Sequence, residues 1–184
     1  MIDVAIIDYN MGNLRSIKSA CENVDLKSII TKNHKDIMLA KSIILPGVGS
    51  FDQAIKNIKK NKLDSVIKNF YYSKKMIIGI CLGMQLLFDE SNENKKTKGL
   101  GLIKGKVDLI KKNNDYQNFN IGWKSIRLDK KMNSLINLKL NNKKFYFIHK
   151  YVCNPDNKKL IIAKSEYKKT NFCAAIKSKN IEAY

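Results

Sequence analysis

Cys81 is the residue of this chain whose surroundings most clearly suggest chemistry. It stands between Gly79 and Gly83, after an apolar run and before a segment whose apolar spacing is helix-like as far as Phe88. A nucleophile at a sharp turn from strand to helix needs glycine neighbours, because larger side chains would clash there. The free N–H groups at the start of the helix would favour the thiolate, the reactive form of cysteine. We interpret Cys81 as a candidate nucleophile, with a buried structural cysteine as the alternative.

The elements that would position this cysteine alternate between strand and helix in the first half of the chain. The predicted strands are 4–7, 28–31, 42–45 and 76–80, and the predicted helices are one from Leu14, one at 34–40 and a long one at 51–70. Short apolar β-branched runs are typical of buried parallel strands. This alternation predicts an α/β fold, flavodoxin-like, with a mostly parallel sheet flanked by helices.

The second half of the chain is predicted to be rich in strands. The predicted strands are 107–110, 125–128, 144–148, 160–163 and 173–176, and 91–98 is predicted to be a polar loop. Turn-like Asn and Lys clusters between several of them indicate antiparallel pairs. No linker or internal repeat divides the chain, so we expect residues 1–184 to form a single domain.

The composition argues against two classes of protein. The formal net charge is +19, but only Arg15 and Arg127 are arginines, and the lysines are spread along the chain. Because arginine makes most specific contacts with bases and phosphates, we expect a solvated lysine surface and no specific nucleic-acid partner. No apolar run reaches the roughly 18 residues of a membrane span. The N-terminus does not resemble a signal peptide, so we expect a cytoplasmic protein that does not bind a membrane.

The cysteines and histidines do not form a metal-binding or disulfide pattern. They are Cys21, Cys81, Cys153, Cys173, His34 and His149, and none stands at the spacing of metal ligands. Gly99, Gly101 and Gly105 do not form the glycine pattern of a dinucleotide site. We therefore expect neither a metal nor a cofactor.

Several stretches together resemble the glutaminase subunits of imidazole glycerol phosphate synthase, a group of class I (triad-type) glutamine amidotransferases. They are DYNMGNLRS at 8–16, LPGVGSF at 45–51, GICLGMQLLF at 79–88, GLGLI at 99–103, IGW at 121–123, YFIH at 146–149 and FCAAI at 172–176. These stretches follow the order of the family along essentially the whole chain.

The resemblance implies that Cys81 attacks the side-chain amide of glutamine and releases ammonia, leaving a thioester that water hydrolyses. It also implies an oxyanion hole made by the backbone of Leu82 and by the loop containing Val48 and Gly49, after that loop turns toward the site. The positions that match substrate-binding residues of the family are Gln85, Glu93, Lys150 and Tyr151.

The resemblance also implies a heterodimer with a (β/α)₈-barrel cyclase subunit, which uses the ammonia to make imidazole glycerol phosphate in histidine biosynthesis. Asn10, Asn13 and Trp123 would lie at or near that interface, although Trp123 could instead be a core aromatic. Alternatives are an ammonia-supplying paralog for a sugar amidotransferase in surface-glycan synthesis, a non-catalytic partner protein, and a stand-alone thiol enzyme. Two departures from the common pattern are Asn120 in place of a histidine and Lys150 in place of a serine.

The general base of the family belongs to a His-x-Glu segment that follows residues resembling 180–184. The sequence reaches Tyr184 without that segment, so we expect either a fragment or a chain that lacks the base of the triad. In both cases these residues alone should have weak glutaminase activity or none. His149 could be proposed as a replacement base, but we do not favour it, because its family counterpart precedes residues whose backbone binds glutamine.

Overall fold

The computed structural model describes residues 1–110, 119–129 and 134–184. Strands and helices alternate through the first half of the chain, as predicted. In order, they are β1 (Val4–Ile7), α1 (Leu14–Glu22), β2 (Ser28–Thr31), α2 (His34–Leu39), β3 (Ser42–Leu45), α3 (Phe51–Lys60), α4 (Leu63–Tyr72), β4 (Met76–Gly79) and α5 (Leu82–Leu86).

The described part of the second half consists mainly of strands. They are β5 (Phe88–Ser91), β6 (Thr97–Lys98), β7 (Ile103–Leu109), β8 (Asn120–Ser125), β9 (Arg127–Leu128), β10 (Lys144–His149), β11 (Tyr151–Pro155), β12 (Ile161–Tyr167), β13 (Thr170–Ser178) and β14 (Ile181–Ala183). Two short 3-10 helices, Leu138–Leu140 and Lys158–Leu160, precede β10 and β12.

The largest sheet has eight strands in the order β2-β1-β3-β4-β14-β13-β12-β9. Its first five strands run parallel to one another, and β13, β12 and β9 continue it in antiparallel fashion. This parallel order, with the chain returning to add its last strand beside β4, is the flavodoxin-like order. The α/β prediction is therefore confirmed. A four-stranded sheet, β11-β7-β5-β6, and a two-stranded ribbon, β10-β8, complete the described strands.

Helices cover both faces of the parallel part of the sheet. In β1, Ala5 and Ile7 face the core shared with α2, α3 and α4, whereas Val4 and Ile6 pack in a separate cluster with Cys21 of α1. Because alternate residues of a strand point to opposite faces, a strand covered on both sides must be apolar throughout. All of β1 is accordingly buried, which explains its continuous apolar run.

Three sequence predictions about local structure are wrong. The helix predicted at 51–70 is two helices, because Lys62 adopts a left-handed φ of 53° that ends the helical path after α3. The polar loop predicted at 91–98 contains a short antiparallel pair, in which Ser91 pairs with Thr97. In addition, the helical segment that was predicted to continue to Phe88 ends at Leu86, and Phe88 begins β5.

In the ranges that the structure describes, no helix is both long enough and apolar enough to cross a lipid bilayer.

Candidate active site

Cys81 lies in a sharp turn between β4 and α5. Its backbone has φ 53° and ψ −111°, a conformation that residues other than glycine rarely adopt and that the surrounding structure must impose. The Cys81 N–H donates to the Tyr184 carbonyl oxygen at 2.6 Å, and the Tyr184 N–H donates to the Gly79 carbonyl oxygen at 2.9 Å. These bonds extend the pairing of β4 with β14 as far as the candidate nucleophile and hold the turn in place.

Two glycines allow the neighbouring loop to approach this turn. A Cβ atom on Gly83 would lie 1.9 Å from the Leu45 carbonyl oxygen, and one on Gly47 would lie 2.4 Å from the Leu82 Cβ. Both distances are shorter than any contact that carbon atoms can tolerate. The end of β3, the loop at 46–49 (the oxyanion loop) and the start of α5 can therefore meet only because these two residues lack side chains.

The Cys81 side chain reaches a cavity of about 640 Å³. Three other residues predicted for the site also line it, namely Val48, Gln85 and Tyr151. The Gln85 side-chain amide donates to the Tyr151 carbonyl oxygen at 3.4 Å, which joins α5 to β11 across the cavity wall. The structure thus brings together the candidate nucleophile, one residue of the oxyanion loop and two candidate substrate contacts.

The environment of the thiol is less activating than the sequence suggests. Although Cys81 opens to the cavity, protein atoms closely surround its sulfur, and this burial raises the pKa of the thiol. The nearby Leu82 N–H lowers the pKa of the thiol and so opposes that change without reversing it. The expectation that the helix start favours the thiolate is therefore not met in this state, because the cost of burying the charge exceeds the stabilisation. A nucleophilic Cys81 needs a base.

The two candidate oxyanion positions beside Cys81 differ in their surroundings. Leu82 is buried at the start of α5. Val48 is 63 % exposed at the tip of the oxyanion loop, and Gly49 has a left-handed φ of 111°. A loop of this composition can change its peptide orientation at little steric cost.

Glu93 and Lys150 lie outside the group of described residues that line the cavity. A Glu93 carboxylate oxygen accepts a hydrogen bond of 2.6 Å from the Phe51 N–H, at the start of α3. The Lys150 ammonium lies 5.1 Å from the centre of the Phe119 ring, a cation–π distance. In the described structure both side chains are therefore engaged elsewhere, and their substrate roles stay predictions.

His149 lines the cavity, but both of its ring nitrogens have partners. Nδ1 lies 3.1 Å from the Tyr151 carbonyl oxygen, which can only accept, so Nδ1 carries the proton. Nε2 must then accept from the Asn120 amide at 2.9 Å. Burial lowers the pKa of His149 to about 4. The hydrogen bond to Tyr151 raises this pKa, and the positive charge of Lys124 lowers it further, so the net change is downward. His149 is thus a neutral residue held by hydrogen bonds, which argues against it as a replacement base.

We expect His149 to make the stability of the fold depend on pH. Its pKa is about 4 in the folded chain and 6.5 when unperturbed, so the unfolded chain binds a proton in this interval that the folded chain does not. Stability should therefore fall as the pH falls, by about 2 to 3 kcal/mol between pH 7.5 and 4.5. Denaturant unfolding of the chain and of His149→Gln measures this contribution. Parallel pH profiles for the two proteins would contradict it.

The residues that the resemblance places at a partner interface are all exposed. Asn10 follows β1 with a left-handed φ of 62°, and Asn13 caps α1 by accepting from the Ser16 N–H at 3.3 Å. Trp123 on β8 is 68 % exposed and packs edge-to-face on Tyr146, with ring centres 5.8 Å apart. The alternative that Trp123 is a core aromatic is therefore wrong.

Sequence reasoning missed three contributors to the site. Tyr9 contacts the oxyanion loop through its hydroxyl, Asn120 fixes His149, and the backbone of Tyr184 holds Cys81. The position of Tyr9 two residues after a predicted buried strand and the position of Asn120 beside Ile121-Gly122-Trp123 were available as signals. The partners of these residues are distant in sequence, and a single sequence does not specify such pairings.

The fold and the site together define a class of protein, and comparisons with known proteins agree. A family model described as glutamine amidotransferase class-I matches residues 5–184. The chain belongs to this family. A solved structure described as a glutamine amidotransferase superimposes with a TM-score of 0.70, at 12 % identity, covering 98 % of this chain and 87 % of the other. At that identity the similarity concerns the fold alone.

Relatives with higher identity carry a more specific name. The chain is 40 % identical to imidazole glycerol phosphate synthase subunit HisH of Prochlorococcus marinus subsp. pastoris, covering 100 % of this chain and 88 % of the relative. It is 42 % identical to the HisH subunit of Methanocaldococcus jannaschii, covering 98 % and 88 %. It is also 44 % identical to the protein named HisH 2 of Vibrio vulnificus, covering 85 % and 74 %.

Proposed function

We propose that this chain is a glutaminase subunit of imidazole glycerol phosphate synthase. It hydrolyses glutamine through Cys81 and passes the ammonia to a cyclase subunit in histidine biosynthesis. The observation that carries this proposal is the strained Cys81 turn, which opens into a cavity shared with Val48, Gln85 and Tyr151. The HisH names of relatives at about 40 % identity support the pathway. A single domain at 1–184 and a cytoplasmic location belong to the same proposal.

The proposed reaction begins with loss of the Cys81 proton. The sulfur attacks the side-chain carbonyl carbon of glutamine, and the negative charge that develops on oxygen is stabilised by backbone N–H groups of Leu82 and the oxyanion loop. The C–N bond then breaks, the amide nitrogen gains a proton and leaves as ammonia, and a glutamyl thioester remains. Water hydrolyses this thioester to glutamate and frees the thiol. The base that takes and returns the proton is assigned, by resemblance, to the His-x-Glu segment of the family.

Gln85 and Tyr151 are suited to hold the substrate in this reaction. The Tyr151 carbonyl oxygen already accepts hydrogen bonds from Gln85 and His149, so its direction is fixed before glutamine binds. The Tyr151 hydroxyl donates to the Glu93 carbonyl oxygen at 3.0 Å, which fixes the ring. A preorganised wall of this kind lowers the cost of orienting a small ligand.

The ribbon formed by β8 and β10 is the proposed docking surface for the cyclase. Its exposed apolar patch consists of two cross-strand pairs, Trp123 with Tyr146 and Ile121 with Ile148. Each of these side chains is more than half exposed, and contiguous apolar surfaces of this kind mark protein interfaces. Tyr146 and Ile148 also line the cavity. A partner seated on the patch would therefore lie beside the space from which ammonia leaves.

Replacing Trp123 with alanine should weaken binding of the cyclase subunit. A large exposed aromatic in an interface typically contributes about 2 kcal/mol or more, so we expect Kd to rise about 30-fold or more. Isothermal titration with the cyclase measures the change. Tyr72→Ala is the matched control, because Tyr72 is 72 % exposed on α4, away from the ribbon. Equal Kd values for Trp123→Ala and the unaltered chain would remove the patch from the interface.

The experiment that tests the proposed function uses the full gene product in complex with the cyclase. Glutamine labelled with ¹⁵N in its side-chain amide is supplied with the cyclase substrate, and ¹⁵N in imidazole glycerol phosphate is measured. We expect labelled product from L-glutamine and none from D-glutamine. Synthesis from ammonium chloride but not from L-glutamine would instead identify a non-catalytic partner protein. No product from either nitrogen source would contradict the assignment to this synthase.

A further inference from the structure

Tyr9 connects the loop after β1 to the oxyanion loop. Its side chain is fully buried, and its hydroxyl donates a hydrogen bond to the carbonyl oxygen of Pro46. Pro46 is the first residue of the oxyanion loop, and Gly47 and Val48 follow it. Burial raises the pKa of the Tyr9 phenol, so it remains a protonated donor at neutral pH.

The same segment contacts the oxyanion loop at two more points. A Cβ atom on Gly12 would lie 3.1 Å from the Pro46 Cβ, so the two backbones are in close contact. The Met11 methyl carbon lies 2.7 Å from the place where a Cβ of Gly49 would stand. Residues 9–12 therefore contact both ends of the oxyanion loop, at Pro46 and at Gly49.

Tyr9 is also anchored on its other side. The Asn57 side-chain amide donates to the Tyr9 carbonyl oxygen at 3.0 Å, and Gln53 in turn donates to the Asn57 side-chain oxygen at 2.8 Å. Both residues belong to α3, which packs in the core with the parallel sheet. The backbone of Tyr9 is thus held by a rigid element while its phenol binds the Pro46 carbonyl.

The peptide bond explains why this contact matters for chemistry. The Pro46 carbonyl and the Gly47 N–H belong to one planar peptide unit, so fixing the carbonyl also fixes the direction of that N–H. The chain therefore enters residues 47–49 in a defined orientation. Without this restraint, the glycines on either side of Val48 would allow the loop many backbone orientations. Donors that stabilise an oxyanion must be correctly directed before the reaction to be effective.

We propose that Tyr9 is a positioning residue for the oxyanion loop, acting through its hydroxyl bond to the Pro46 carbonyl. This inference rests on the proposed function, because it assigns a catalytic purpose to that loop. It predicts that the Tyr9 hydroxyl speeds reactions of Cys81 that pass through an oxyanion. Reactions of Cys81 that form no oxyanion should be unaffected by it.

Two electrophiles distinguish reactions of Cys81 that pass through an oxyanion from reactions that do not, and both are tested on the full gene product and its variants. The γ-(4-nitrophenyl) ester of L-glutamate acylates Cys81. The thiol gives its proton to a base or to water, the S–C bond forms, the C–O bond breaks, and 4-nitrophenolate leaves with the electron pair and needs no proton. The carbonyl oxygen becomes an oxyanion on the way. Iodoacetamide alkylates the same sulfur by displacing iodide and forms no oxyanion. Stopped-flow absorbance follows the first reaction, and mass spectrometry of the Cys81 peptide follows the second.

We expect Tyr9→Phe to slow acylation about tenfold or more and to leave the alkylation rate within twofold. Asn57→Ala, which loosens the anchor of Tyr9, should slow acylation by a smaller factor. Tyr72→Phe removes an exposed hydroxyl on α4 and should change neither rate. Thermal unfolding of each variant establishes that it is folded.

Three results would overturn the inference. Acylation at the unaltered rate in Tyr9→Phe shows that the hydroxyl does not position the loop. An equal fall in both rates shows that the change damages the site in general. If the unaltered full gene product shows no Cys81-dependent acylation, or acylation without preference for the L-ester over the D-ester, the proposed function fails, and this inference fails with it.

Discussion

Replacing Cys81 with alanine is expected to abolish glutamine-dependent activity while leaving partner binding intact. The reaction requires a covalent bond to the Cys81 sulfur, and alanine cannot form it. Loss of a nucleophile that works with a base typically lowers turnover by about a thousandfold or far more. The substitution keeps the Cβ atom and removes only the sulfur, so the turn and the exposed β8–β10 ribbon should persist. Glutamate release by the full gene product in complex with the cyclase measures the effect.

The control for this variant is Cys21→Ala. Cys21 is buried on α1, in a cluster on the opposite face of the sheet from the main core, and should be irrelevant to turnover. Ammonium-dependent synthesis by the cyclase complex should be unchanged in both variants, because it bypasses glutamine. Turnover of Cys81→Ala within tenfold of the unaltered protein would remove Cys81 as the nucleophile.

Gly83→Ala is expected to have the largest effect on stability of any single methyl group added to the elbow. The new Cβ would lie 1.9 Å from the Leu45 carbonyl oxygen and 2.7 Å from the Leu45 carbonyl carbon. Both are backbone atoms in or beside a buried parallel strand, so they cannot move aside as a flexible side chain could. Overpacking of this kind costs about 3 kcal/mol, and the variant should unfold at markedly lower denaturant concentration or fail to fold.

Gly101→Ala separates this clash from the general effect of replacing a glycine. Gly101 has a left-handed φ of 67°, but its added Cβ would lie 3.6 Å from the nearest atom, an oxygen of Asp89. Only the backbone strain remains there, at about 1 kcal/mol. Equal losses of stability in the two variants would show that the Leu45 contact is not what requires glycine at 83.

The parallel half of the fold could be predicted because local sequence determines it. β1 and β3 are largely buried, rich in β-branched residues and short, and each is followed by a glycine-containing loop and then a helix with an apolar stripe. The break at Lys62 carried no such signal, because neither glycine nor proline marks it. Its left-handed φ is imposed by the packing of α3 and α4 as separate helices in the core.

β14 could not be predicted from local sequence for an electrostatic reason. Glu182 lies in its middle and is fully buried, which is unusual for a carboxylate. The Leu135 N–H donates to both carboxylate oxygens, at 2.8 and 3.0 Å, the Tyr184 hydroxyl donates at 2.7 Å, and the Lys177 ammonium lies 3.6 Å away. The Leu135 N–H, which binds both carboxylate oxygens, lies 47 residues away in the sequence, so the local sequence resembles a polar segment although the strand is buried.

The candidate site was predictable in its residue types and less so in its geometry. The glycines around Cys81 and in the oxyanion loop indicated a tight approach, and Gly47 and Gly83 make that approach. The engagement of Glu93 with α3, the neutral state of His149 and the contact of Tyr9 with Pro46 depend on hydrogen bonds between distant segments. Patterns of apolar spacing contain no information about such bonds.

The position of β14 has a consequence for how the chain folds. This strand lies between β4 and β13, and Asn180, just before it, hydrogen-bonds to Lys75 across 105 residues of sequence. β14 follows β13 after a short turn and can pair with it locally, but until β14 docks on β4 both of these strands present an unpaired edge, and such edges are prone to pair with other chains. Closing so long a loop is slow compared with forming local contacts. The two halves of the sheet can therefore assemble early but join late, and the interval before they join is when the nascent protein is most exposed to aggregation.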